Sequence, residues 1–301
     1  MVIRMNKDLK KWMGKISSDK PLFSINIPGT HDCAARFVQY AHIAKCQDLS
    51  IYDQLAIGVR ALDIRVMAEG NRLLMIHSIA KVFCTARQPK LHMDLEYILT
   101  QIYAFLDENP SEAVIFQFKN DSGKDFEKSF DNLFNTYIKP NQKRWYLKNK
   151  CPTLGEARGK IVLIRRCSMD KSNEEYTNKN SGIDFSSWVE QTEMIPEPLI
   201  LKTGSEDSAE FIIQDRFKYK AEEKWAACIK PFIEKLKPFE KQYVICYFST
   251  SGGIAGPKKN AGLLNNAFIN FPIPRGIYLG TIYLDFPNKR ITTKIIESNK
   301  I

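Results

Sequence analysis

Eight short runs rich in β-branched and aromatic residues punctuate this chain: "LFSINI" (22–27), "VRALDI" (59–64), "LLMIH" (73–77), "AVIFQF" (113–118), "KIVLIR" (160–165), "FIIQD" (211–215), "YVICYF" (243–248) and "GIYLGTIYLD" (276–285). Most are too apolar to leave one face in water, which is the pattern of parallel strands covered by helices. Between them, "DLEYILTQIYAFLDEN" (94–109) sets Leu95, Ile98, Leu99, Ile102, Phe105 and Leu106 along one stripe, and 126–138 and 220–236 repeat the helical period. Strand and helix alternating at this count within 301 residues predict an α/β fold, a single irregular TIM (β/α)8 barrel spanning 1–301. The gap between the second and third runs is too short for a helix, hence the irregularity. Pro28-Gly29 is expected to end the first strand, which puts His31-Asp32 on the loop that follows.

Polar residues gather where these runs stop: His31-Asp32, Asp63-Arg65, His77, Lys119, Arg165-Arg166, Asp215, Ser249 and Asp285. One strand-end Asp is commonly a helix cap, and one Arg a surface ion pair. Eight such positions in register point instead to a shared mouth, because the C-terminal ends of parallel barrel strands converge on one face. His42 and His92 lie off the strand ends and stay outside this set.

Two imidazoles across one pocket suit concerted acid-base work, one taking a proton from a nucleophile while the other gives one to a leaving group. Each needs a carboxylate to fix its tautomer, and Asp32 and Asp285 are at hand. Arg65, with Lys119 or Arg166 behind it, offers donors for an anionic tetrahedral centre such as a phosphate. These parts describe phosphodiester cleavage in which a hydroxyl of the substrate is the nucleophile. A fixed cation at Arg65 argues against a divalent metal, and the sequence has neither H-E-x-x-H nor an EF-hand loop. No Walker A, G-x-G-x-x-G or G-x-S-x-G pattern occurs, so no cofactor and no metal are expected.

The balance of 44 Lys+Arg against 34 Asp+Glu, a formal charge of +10, favours an anionic partner. It is spread along the chain without a nucleic-acid-binding signature, so nucleic acid is not expected and an acidic membrane or phosphorylated substrate is. Seven cysteines form an odd set without a C-x-x-C pair and read as reduced, mostly buried thiols. The start, "MVIRMNKDLKKWMGK", has no apolar core of a signal peptide, and no run of 18 apolar residues occurs. A monomer, cytoplasmic or peripheral on a membrane, is expected.

Several stretches together resemble the bacterial-type phosphatidylinositol-specific phospholipases C: "PLFSINIPGTHD", "QLAIGVRALDIR", "LLMIH", "FLDENPSEAVIFQFK", "LGEARGKIVLIRR", "IQDRFK", "SGG" and "YLDFP". "CQDLSIYDQLAIGVRALDIR" is also similar to the glycosylphosphatidylinositol-cleaving phospholipases C of trypanosomes. The resemblance implies an irregular TIM barrel and a metal-independent phosphatidylinositol diacylglycerol-lyase. It assigns His31 as general base on the inositol 2-hydroxyl with Asp285 behind it, and His77 as general acid assisted by Asp32. Arg65, held by Asp63, would bind the phosphate, and Lys119, Arg166, Asp215 and Phe217 the inositol. Three positions depart from the family: Ser78 stands where Gly is usual after the second histidine, Cys33 for Ser after Asp32, and Phe217 for an aromatic that is often Tyr.

A lipid substrate asks for apolar residues near the mouth. "ARFVQYAHIAKC" (35–46) offers Phe37, Tyr40 and Ile43; the loop expected after the seventh strand (249–276) offers Ile254, Leu263, Leu264, Phe268 and Phe271 beside Lys258, Lys259 and Arg275. The competing readings are a catalytically silent phosphoinositide-binding barrel and a metal-dependent glycerophosphodiester phosphodiesterase.

Overall fold

Seven of the eight apolar runs become strands of one parallel sheet that follows chain order. The computed structural model describes residues 8–299 apart from 89, 205, 206, 237, 238 and 241; the first seven residues, part of the stretch read as lacking a signal peptide, lie outside this set. The strands are β1 (Ile27–Thr30), β2 (Ala61–Glu69), β3 (Val114–Asn120), β4 (Ile161–Arg165), β5 (Ile183–Asp184), β6 (Glu210–Gln214), β7 (Tyr243–Tyr247) and β8 (Thr281–Leu284). Each pairs in parallel with the next from β1 through β5, then from β6 through β8, and β8 returns to β1. No ladder joins β5 to β6 among the described residues, so this irregular TIM barrel is open at one seam.

Three strand expectations need correction. Residues 22–24 form a 3-10 turn, and the strand starts at Ile27 and runs through Pro28-Gly29 instead of ending there. Pro28 contributes its carbonyl, which accepts the Arg60 amide at 2.9 Å, so the missing N–H does not break the strand. "LLMIH" is no barrel strand: β2 overshoots the sheet, turns at Gly70-Asn71 and returns antiparallel as Arg72–His77. The fifth barrel position is taken by β5, two residues long and therefore without a readable period.

Side chains alternate across each strand, so one parity faces the barrel axis. Ile27, Ala61, Ile115, Val162, Ile164, Ile213 and Ile245 fill the axis as one apolar cluster. Continuing the same parity toward the C-terminal ends gives Asp63, Gln117, Tyr247 and Tyr283 one layer higher, then His31, Arg65, Lys119, Arg166, Asp215, Ser249 and Asp285 at the rim. The helix Leu95–Glu108 packs the outside, with Ile98, Leu99, Ile102, Phe105 and Leu106 buried as expected; each contributes about 1.5–3 kcal/mol of burial. Beneath the barrel, Arg60 is fully buried against Glu112 (Nε to Oε2, 2.9 Å) and donates to the carbonyls of Leu55, Val59, Leu9 and Lys10.

Candidate active site

The rim encloses a pocket of about 450 Å³ lined by His31, Arg65, His77, Lys119, Asp215 and Asp285, among others. His31 leaves the end of β1 and meets Asp285, at the end of the neighbouring β8, through Nδ1 to Oδ1 at 2.8 Å. Gln47 donates to the carbonyls of both His31 and Leu284, at 2.7 and 3.2 Å, locking the two strand ends together. Burial disfavours the imidazolium of His31, but the Asp285 carboxylate outweighs it and the imidazole pKa is raised above its ordinary value.

His77 arrives on the return strand of the hairpin. Its ring centroid lies 5.8 Å from that of His31, with the planes nearly perpendicular at 86°. Its Nδ1 is 2.7 Å from the Ala44 carbonyl and 3.4 Å from Oδ2 of Asp32. Asp32 is fully buried, and burial raises its carboxyl pKa against the pull of His77. Neither Asp32 side-chain oxygen has a hydrogen bond, and the nearest polar group to this carboxylate across the pocket is His77 Nδ1 at 3.4 Å.

Arg65 is held from below. Its Nε and one terminal nitrogen both lie 3.0 Å from Oδ2 of Asp63, and its other terminal nitrogen is 3.7 Å from Asp121. Burial alone would push Asp63 up, yet the guanidinium of Arg65, with His31 and Arg166 beyond it, brings its carboxyl down to about 2. Gln117 donates to Asp63 at 3.4 Å and also bonds Tyr247, so a polar layer supports the rim from within the barrel. Lys119 bridges Asp121 and Glu190, each at 2.9 Å.

The pocket brings together His31, Arg65, His77, Lys119, Asp215, Phe217 and Asp285; Asp32 and Asp63 back it. Arg166 differs: it lines an adjoining cleft of about 1080 Å³, stacked 3.7 Å over Trp188, and the two cavities share Lys119, Asp121 and Glu190. Sequence reading missed Cys46, Gln47, Asp121 and Glu190. Asp121 was within reach, since it follows Lys119 by one inward step; Glu190 sits in an irregular segment with no periodic signal. Lys224, also missed, is fully buried and donates to the Ser249 carbonyl at 2.6 Å, and burial lowers its ammonium pKa.

The residues that follow His31, His77 and Asp285 share one backbone feature: Asp32, Ser78 and Phe286 have φ of 42°, 54° and 45°. Ser78 thus adopts the left-handed conformation that glycine would take without strain, and its amide is fixed by Asp121 at 2.7 Å.

The membrane-contact expectations divide. The segment 249–276 is mostly a helix, Gly256–Asn270, and it buries Leu264 and Phe268 in an apolar cluster with Phe248 and Leu279; these two are corrected to core residues. Leu263 is exposed but away from the pocket, and Phe37 is half-buried in a two-residue strand against Ala80–Phe83. Tyr40, Ile43 and Ile254 are 56%, 61% and 107% exposed, and the two isoleucines line the pocket mouth. Gly256 joins the two segments: a Cβ there would lie 2.5 Å from the His42 carbonyl oxygen. Lys45 and Lys258 flank them, both paired with Asp48.

Residues 26–167 match the family model for the phosphatidylinositol-specific phospholipase C X domain. The chain resembles that family over this stretch, 142 of its 301 residues. The X-domain match ends at the rim residues of β4. The chain is 31% identical over 191 residues to a 1-phosphatidylinositol phosphodiesterase of Staphylococcus aureus (strain Newman), covering 60% of this chain and 59% of the relative. It spans about three fifths of the length of the S. aureus relatives it matches in sequence. A 1-phosphatidylinositol phosphodiesterase of Listeria monocytogenes is 27% identical over 317 aligned positions, 99% of this chain and 87% of the relative. Among solved structures, S. aureus phosphatidylinositol-specific phospholipase C, in a study of modulation of its membrane binding, superposes with a TM-score of 0.79 at 25% identity, over 98% of each chain. The L. monocytogenes phosphatidylinositol-specific phospholipase C shares the fold, with a TM-score of 0.75 at 23% identity over 98% of this chain and all of that one.

Proposed function

We propose that this chain cleaves phosphatidylinositol by attack of the inositol 2-hydroxyl on the adjacent phosphorus, giving inositol 1,2-cyclic phosphate and diacylglycerol. One observation carries the reading: two carboxylate-backed imidazoles whose rings are 5.8 Å apart share a pocket with an arginine fixed by Asp63. His31 takes the hydroxyl proton while Asp285 stabilises the imidazolium that forms. Arg65 meets the charge growing on the phosphate oxygens, already oriented and already paired from behind, so little reorganisation is needed at the moment of reaction. His77 returns a proton to the diacylglycerol oxygen. Holding nucleophile and phosphorus in one molecule supplies the proximity advantage.

Lys119 and Asp215 face the space left for inositol hydroxyls and Phe217 offers a ring to stack on. Arg166 would reach this space from the adjoining cleft. That cleft supports a second substrate, a glycosylated phosphatidylinositol, because it gives a glycan attached to the inositol somewhere to lie. Tyr40, Ile43 and Ile254 would enter the interface of an anionic membrane beside Lys45 and Lys258.

Phosphorus NMR of phosphatidylinositol vesicles in excess EDTA tests the scheme. A cyclic inositol phosphate signal is expected with the unaltered chain, slowed about 10²–10⁴-fold in His31→Ala. Product that appears only when calcium is restored would overturn the role of Arg65 and favour a metal-dependent phosphodiesterase. Folded protein with no product under either condition would favour a binding barrel.

A further inference from the structure

Lys224 has no part in the scheme above, yet it stands behind the inositol side of the pocket. It closes the short helix Ala221–Lys224 and is fully buried, its ammonium donating to the Ser249 carbonyl at 2.6 Å. The segment that Ser249 opens clamps the residue offered for stacking: Thr250 Oγ1 and the Ser251 amide donate to the Phe217 carbonyl at 3.0 and 2.9 Å. Asp215, two residues before Phe217, lines the same pocket, and among the described residues its carboxylate accepts no hydrogen bond; Gln191 holds only its amide, at 3.3 Å. One ammonium thus backs the wall formed by Asp215, Phe217 and Ser249.

The cations facing Asp215 are Lys224 from this helix, Arg166 from the end of β4, Arg65 from β2 and His31 from the end of β1, and Lys224 acts on it most strongly. The Cys246 thiol and the Tyr247 hydroxyl face it as well. Three of the cations already have a carboxylate in contact: Glu190 for Arg166, Asp63 for Arg65 and Asp285 for His31. Lys224 has none in contact among the described residues; it faces the thiols of Cys228 and Cys246 and, of the carboxylates, Asp215 ahead of Asp285. A buried ammonium without a counter-charge is strongly unfavourable, and burial leaves little screening between two charges that face each other without touching.

We propose that Lys224 is a positioning residue for the inositol ring: it is the counter-cation of Asp215 and the anchor of the wall that carries Phe217, and it sets the affinity for the headgroup without touching it. This rests on the proposed lyase reading. Asp215 accepts inositol hydroxyls most strongly as an anion, because charge-assisted hydrogen bonds are the stronger ones. Burial pushes its carboxyl above the usual carboxylate value, and Lys224 pulls it part of the way back. Without that cation Asp215 takes up a proton at higher pH, and headgroup affinity falls where the unaltered chain still binds.

Lys224→Gln keeps a donor for the Ser249 carbonyl and removes the charge; Lys224→Met removes both. With a short-chain soluble phosphatidylinositol at neutral pH, Lys224→Gln is expected to raise KM about tenfold with kcat little changed, the loss of one charge-assisted hydrogen bond. The acid limb of its kcat/KM is expected at higher pH than in the unaltered chain, and the deficit to shrink as pH rises. A merely structural lysine would leave KM and the pH profile of the folded fraction unmoved, and that result overturns the proposal. Thermal melts of Lys224→Met, Asp215→Asn and the double variant give a readout that needs no cleavage. The double variant is expected to lose less stability than the two single variants together, since each of those strands a buried charge. Additive losses overturn the pairing, as do Lys224→Met and double variants that both fail to fold; a fold lost in Lys224→Met and regained in the double variant upholds it. Coupled melts in a chain that neither cleaves nor binds myo-inositol would overturn the lyase reading and leave the pair standing.

Discussion

Two influences compete at His31. Burial disfavours its cation, and Asp285 at 2.8 Å favours it; the second prevails and the pKa rises. A base that must be neutral to act then loses activity on the acid side at higher pH than free imidazole would, so the acid limb of kcat/KM is expected above about 6.5. A pH profile of cleavage with its acid limb at or below that value would remove Asp285 from the scheme. Linkage carries the same sign into stability: the contribution of this pair is complete below about 6.5, the unfolded value, and fades as pH rises through the higher folded one. Asp63 behaves oppositely, with its contribution present above about 3.9 and lost as pH falls through about 2. His31, His77, Arg65 and their carboxylates were legible because each stands at the end of an apolar run and the chemistry of proton transfer selects those residue types. Cys46 and Glu190 were not, because nothing local distinguishes a pocket thiol from a core thiol, or a bridging glutamate from a surface one.

The strands divide their labour along their length. At the lower end, Arg60 precedes β2 and Glu112 precedes β3, and their buried pair is closed off from the pocket. Glu112→Ala leaves a fully buried guanidinium uncompensated and is expected to lower stability by about 3–5 kcal/mol. Denaturant melts check the loss, and kcat/KM per folded molecule is expected to stay unchanged, since the lower face of a barrel serves stability and the chemistry sits at the opposite one. Seven strands were readable as apolar runs, the first only at its end, Ile27, and the long helix 95–108 from its period. The hairpin Arg72–His77 was readable as a strand but not as an antiparallel one, because its apolar run looks the same in either direction; only the Gly70 turn tells them apart. The helix Gly256–Asn270 escaped notice because Gly, Pro and Asn interrupt its amphipathic stripe, so its buried Leu264 and Phe268 looked like loop residues free to meet lipid.

Charge and shape act together at the scale of the molecule. Under the proposed function, a formal +10 would draw the chain toward anionic vesicles, and Ile43 and Ile254 would sit where the mouth touches them. The double variant Ile43→Ser with Ile254→Ser is expected to weaken vesicle binding by at least about tenfold, since losing even one buried methylene's worth of contact at each position, at roughly 0.8 kcal/mol apiece, amounts to that much. Cleavage of a short-chain soluble substrate should be unaffected; co-sedimentation and that assay check the two halves, and unchanged binding would move the contact elsewhere on the surface. The rim also carries the three left-handed bends, at Asp32, Ser78 and Phe286, each standing about 1–2 kcal/mol above a relaxed backbone. Directed evolution for heat resistance would therefore find glycine at 78 and 286 before it found any better packing of the apolar core. The survivors of such a screen would be hardier without losing their aim, because glycine holds the same left-handed bend at rest and leaves the side chain before it where it stands.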